Sequence, residues 1–193
     1  MIDRLIIESV SGITLMESRA LPTGELDAEQ ERTAGDYVRS HSDYTAYHLL
    51  FALRRKAIGA YSRLSPEVRA RVLCSALGHL RYLNDWGTLD PHESHDGEAA
   101  SALLETGKAA VECLVDLLDD RRPAPLFGSE EATMSSIYQY RRCDFAFRYV
   151  SLLRGRTPTF DPQPERRDVE VERLKGNLQG TEDHSQNASS DER

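Results

Sequence analysis

The chain has 193 residues, of which 39% are hydrophobic and 29% charged, with a mean hydropathy of −0.53. That length fits one domain with a real core, and the balance indicates a soluble fold diluted by a polar segment. A formal net charge of −8 argues against a general nucleic-acid binder, because phosphate binding rests on clustered Lys and Arg displacing counterions.

In chain order, residues 1–25 show no clear period. "RLIIESV" and "ITLM" read as two short strands or as an extended arm laid on helices. Asp3, Arg4, Glu8 and Glu17 break the apolar runs too often for a secretory core or a membrane span. A cytoplasmic protein with no membrane partner is therefore expected. From Leu26 the pattern turns helical, and "DAEQERTAGDYVRS" reads as a polar surface helix with Asp27 as its N-cap. In "SDYTAYHLLFALRRKAIGAY", Tyr44, Tyr47, Leu50, Phe51 and Leu53 or Arg54 recur at helical steps, with Ser42 or Asp43 as cap and Gly59 near the end.

"SPEVRARVLCSALGHLRYLNDWG" is the clearest helix: Ser65 as N-cap, Pro66 at the first helical position and Glu67 against the positive end of the dipole, with Asn84 and Gly87 stopping it. After a polar loop in which Asp96 and Gly97 read as a cap, "DGEAASALLETGKAAVECLVDLLDD" carries two apolar stripes. Gly107 lies between them, where a tight joint needs a residue that tolerates positive φ. Beyond "RRPAPLFG", Ser129 caps a helix with Glu130 and Glu131 in its first turn and Met134, Ile137 and Tyr138 facing inward. A last stripe of Ala146, Tyr149, Val150 and Leu153 ends at Gly155. From residue 156 the prolines and charges predict disorder, allowing a transient helix near residues 169–178.

The stretch "ALLETGKAAVECLVDLLDD", followed at a distance by "YRRCDFAFRYVSLLRG", resembles degenerate HEAT-type helical repeats. That family pairs a small-leucine-leucine helix, a glycine turn and a second helix ending in a leucine pair with an acidic cap, and a following unit opens as Arg142, Asp144 and Ala146 do here. The likeness covers residues 97–155 and bears on architecture alone. The expected fold is all-α over residues 26–155, either a short HEAT-like stack or an irregular helical bundle.

Three groups could carry chemistry. In "NDWGTLDPHESHDGE", Asp85, Asp90, His92 and His95 offer carboxylates and imidazoles to a divalent metal, though without EF-hand or H-E-x-x-H spacing. An ordinary capped loop accounts for the same residues. At the seam between the last two stripes, Tyr140, Arg141, Arg142 and Asp144 form a candidate partner-binding patch, with Tyr140 expected at the surface. Internal pairing of the arginines with Asp144 is the plainer reading. The widely spaced Cys74, Cys113 and Cys143 form no C-x-x-C pair and read as small buried hydrophobes in a reducing compartment. Cys143, beside two arginines that would lower a thiol pKa, is the best of them as a nucleophile, with His48 or His79 as a base.

No nucleotide motif and no cofactor signature is present, so no cofactor is expected. The leading function is a non-enzymatic protein-interaction or regulatory module, such as an adaptor or an immunity-type inhibitor, with another protein as partner. The rival is a small metal-dependent hydrolase or transferase acting on an anionic substrate.

Overall fold

A computed structural model describes residues 24–90 and 94–187, with side chains to residue 178. Residues 1–23 of the expected arm over residues 1–25, residues 91–93 with His92 among them, and the last six residues lie outside the described residues. The helices are α1 (Ala28–Ser40), α2 (Tyr44–Lys56), α3 (Ile58–Ser62), α4 (Pro66–His79), α5 (Glu98–Leu104), α6 (Ala109–Leu117), α7 (Ser129–Ile137), α8 (Arg142–Leu153) and α9 (Pro164–Asn187), with a 3-10 turn at Asn84–Trp86. Among the described residues there is no strand, only the isolated bridges Thr88 to His95 and Pro123 to Arg141. The protein is an irregular all-α bundle.

Helix starts follow local chemistry. Asp27 accepts from Gln30 N at 2.8 Å while Gln30 Oε1 accepts from Asp27 N at 3.0 Å, a reciprocal capping box. Asp43 accepts from Ala46 N at 2.9 Å to open α2, and Ser65 with Pro66 opens α4. Two expected caps differ. Ser129 is the first helical residue of α7, behind Gly128 at φ 105°. Gly97 opens α5, while Asp96 is turned to Arg148 at 3.0 Å. Gly97 is required there because a Cβ would lie 2.2 Å from Asp85 O.

Helix ends follow distant chemistry. The last carbonyls of a helix have no intrahelical donor, and here arginines from other elements fill them. Arg71 donates to Val38 O, Arg39 O and His41 O at the end of α1. Arg142 donates to Leu77 O and Leu80 O, and Arg122 to Gly78 O, at the end of α4. Arg167 donates to Tyr138 O and Gln139 O beyond α7. This is why α4 stops at His79 rather than at Asn84. Helix α2 likewise ends at Lys56, and Gly59 lies inside the short α3.

The core runs through every layer. Helix α1 packs on α2, α2 on α4, α4 on α6, and α6 on α8. Trp86, Tyr47, Tyr140, Tyr149, Phe51 and Phe145 are its largest enclosed side chains. The linker at residues 120–126 runs beside the start of α8, with Ala124 N on Tyr140 O, Arg142 N on Arg122 O and Cys143 N on Asp120 O. Ile137, expected inside, is 66% exposed.

The expected disorder from residue 156 is corrected over residues 164–178 of α9, which packs on α8. Val171 and Leu174 are buried and Leu178 lies against the core. Those three sit at helical spacing, and each buried aliphatic group stabilises by roughly 1.5–3 kcal/mol.

Cys74 and Cys113 are also corrected. They form a disulfide between α4 and α6, with Cα atoms 6.0 Å apart and 39 residues of separation. The close packing of the two helices brings the sulfurs together, which sequence spacing could not reveal. Cys143 remains a buried thiol. Unfolded protein titrated with a thiol reagent is expected to show one reactive sulfur without reductant and three after reduction. Three sulfurs without reductant would show that the bond does not persist.

Candidate binding cleft

The four seam residues come together, but inside the protein. Tyr140 is 2% exposed, against the expectation that it reaches the surface. Its hydroxyl donates to Leu89 O, its ring meets Phe145 and Phe160 edge-on, and burial pushes its pKa up to about 12. Asp144 is nearly fully enclosed. It accepts from Arg141 N at 3.0 Å and pairs with the Arg141 guanidinium at 3.0 Å and with Arg167 Nε at 3.1 Å. The Arg167 approach is an ion pair rather than an aligned hydrogen bond. Burial pulls the Arg141 guanidinium down, and the hydrogen bond and charge of Asp144, helped by Asp168, outweigh it and hold it above its ordinary value. Burial, then the nearby Arg122 charge, lower Arg142. These groups form a clamp joining α8, the linker and α9.

Of the described loop candidates only Asp85 turns inward, while Asp90 is half-buried and His95 exposed. Asp85 is buried and accepts from Tyr47 Oη at 2.8 Å, while Asp90 and His95 belong to the bridged loop, where Ser94 Oγ accepts from Asp90 N and Thr88 N donates to His95 O. Among the described residues no three His, Cys, Asp or Glu side chains are grouped to hold a metal. Cys143 runs opposite to the expectation for a nucleophile: burial, then the Asp144 charge, push its thiol up to about 11.

What sequence reading missed lies where α1 ends, α2 begins and α4 ends. A cleft of about 610 Å³ opens there, lined among the described residues by Ser40, His41, Ser42, Asp43, Tyr44, Tyr47, Ser75, Ala76, His79 and Leu80. The elements position the polar groups through their own ends. His41 Nδ1 lies 3.1 Å from Tyr37 O and its ring stacks on Tyr37 at 4.0 Å. Tyr37 Oη donates to Asp43 Oδ2 at 2.8 Å. His79, the last residue of α4, places Nδ1 2.8 Å from Ser75 O. A carbonyl can only accept, so in the neutral His79 ring Nδ1 carries the proton and Nε2 is the acceptor atom, whereas His41 Nδ1 also lies 2.9 Å from the Ser40 hydroxyl, which can donate to it or accept from it. The floor is Tyr47, Ala76 and Leu80, all buried.

The signal for this site was present in fragments. "HSDY" follows a helix end and "SALGH" closes another, but nothing local shows that the two ends meet. No helix among the described residues is long and apolar enough to cross a membrane. Comparison with protein-family models, with curated proteins and with solved structures finds no match, and so supplies no HEAT-repeat relative.

Proposed function

We propose that the chain is a non-enzymatic protein-interaction module, an adaptor or inhibitor in kind, that docks its partner in the cleft between the ends of α1 and α4. The observation that carries this reading is the cleft's form: an open trough with an apolar and aromatic floor and a polar rim. That is the anatomy of a docking pocket, with tyrosine in the centre and hydrogen-bonding groups around it. Small-molecule sites enclose most of their ligand, and an open trough suits an extended segment better. A HEAT-type stack of α5 to α8 would fit the same role, serving as the rigid back against which α4 is held.

The test places a photo-crosslinking residue at Ser42, on the rim, and irradiates the full chain in its native cells. Crosslinking to one protein species, lost when Ser75→Trp fills the cleft without lowering the melting temperature, is expected. Labelling that is scattered, or unchanged by Ser75→Trp, would sink the reading.

A further inference from the structure

Resting on that docking reading, we infer that the cleft selects a positively charged side chain, and that its occupant is an arginine on an extended segment of the partner protein. The argument begins with what the lining can and cannot offer. Among the described residues that line the cleft, the only formally charged side chain is Asp43, and none is Lys or Arg. His79 has committed Nδ1 to Ser75 O, which leaves Nε2 of the neutral ring to accept, and His41 Nδ1 lies between Tyr37 O and the Ser40 hydroxyl. Ser40, Ser42 and Ser75 add hydroxyl oxygens, and the half-buried Tyr44 adds aromatic surface above the enclosed Tyr47.

The cations beside the cleft are placed elsewhere, Arg81 next to Leu80 lying over the Tyr82 ring at 5.0 Å. Arg71 spends one nitrogen on three carbonyls at the end of α1, and Arg39 pairs with Asp36 at 2.8 Å. Arg122 and Arg142 are held by the carbonyls that end α4. The cleft is thus a concave surface rich in acceptors, with one carboxylate, in a chain of net charge −8. Its complement is donor-rich and positive.

Guanidinium fits better than ammonium for two reasons. Its planar fork can donate to several acceptors in one plane, and its face stacks on tyrosine. A rim of separated acceptors over an aromatic floor uses both properties. An ammonium is a compact, strongly hydrated charge that gains less from either.

The experiment uses the full isotopically labelled chain and three capped pentapeptides that differ only at the central residue: arginine, citrulline or glutamate. Citrulline keeps the shape and planarity of arginine and removes the charge. The arginine peptide is expected to move resonances of residues 40–47 and 75–80. The citrulline peptide should bind about fivefold or more weakly, and the glutamate peptide not at all. Asp43→Asn, which keeps a residue able to cap α2, should reduce arginine-peptide affinity about threefold to fivefold and leave the melting temperature close to that of the parent.

Equal binding of the arginine and citrulline peptides at the cleft overturns the charge selection while leaving the docking reading intact. Shifts confined to other acidic surfaces, such as Glu112 and Asp116 on α6, or no shift at millimolar peptide, overturn the inference outright. Loss of the Ser42 crosslink result with arginine-peptide binding intact removes the docking reading and keeps the cation site, so the two failures are distinguishable.

Discussion

Replacing Asp144 with Asn is expected to destabilise the fold by about 3–5 kcal/mol, read as a fall in the urea midpoint at neutral pH. The carboxylate is nearly fully enclosed, and both guanidinium partners have little room to turn to water: the side chains of Arg141 and Arg167 are 13% and 5% exposed. Asn retains the shape and removes the charge, so two buried cations lose their common counterion. A loss of this size is a large share of the ~5–15 kcal/mol that holds a typical domain together. Arg167 also donates to Asp161 O, Pro162 O, Tyr138 O and Gln139 O and lies over the Phe160 ring at 4.4 Å. It is the peg that fastens α9, so limited trypsin digestion should cut Asp144→Asn earliest at Arg166, Arg173 or Lys175. The double variant Asp144→Asn with Arg167→Met should lose less than the sum of the singles, because the second change removes a cation that the first left bare. Strict additivity would show that the two residues do not act as a pair.

Acid is expected to weaken the protein through His48. This imidazole is 1% exposed, neither ring nitrogen has a hydrogen-bond partner among the described residues, and Tyr44 and Tyr47 stand edge-on to it at 4.4 and 5.6 Å. Burial lowers its pKa from 6.5 to about 4. In the unfolded chain the ring takes up a proton near 6.5, whereas in the folded chain it resists until about 4. Between those values the unfolded state binds more protons, so the contribution is complete above pH 6.5 and is lost as pH falls toward 4. The total is roughly 3 kcal/mol, about 1.4 kcal/mol per pH unit over the window. His48→Phe should remove this component. The stability difference between pH 7.5 and pH 4.5, from urea unfolding, would shrink by about that amount relative to the parent. An unchanged pH dependence in the variant would assign the acid loss to other groups.

The legible parts of the fold were those set within a few residues. The Asp27 and Gln30 box, the Ser65-Pro66-Glu67 opening and the glycines at 107 and 155 are local backbone chemistry, and both glycines adopt positive φ. The end of α4 was misread because its terminator came from far away: Arg142 acts from 62 and 65 residues along the chain. Tyr140 was misplaced for the same reason. Its position between two stripes looked exposed, yet the loop at Leu89 and the ring of Phe160 close over it. Helix α9 was hidden by averaging: its composition is polar, while the few apolar residues at 171, 174 and 178 share one face. The cleft was the least legible feature, because three helix ends build it and none announces the other two.

The arginines that close the helix ends also set which changes this sequence can absorb as it drifts. On an ordinary surface, arginine and lysine are near synonyms, and the exchange keeps the charge. At Arg142 and Arg167 it does not keep the geometry. Each guanidinium spreads carbonyls over both terminal nitrogens, and an ammonium on a flexible stem presents no fixed fork to them. Lineages carrying this fold would therefore be held to arginine at two positions that look freely replaceable in the sequence, while the charged residues around them remain open to change.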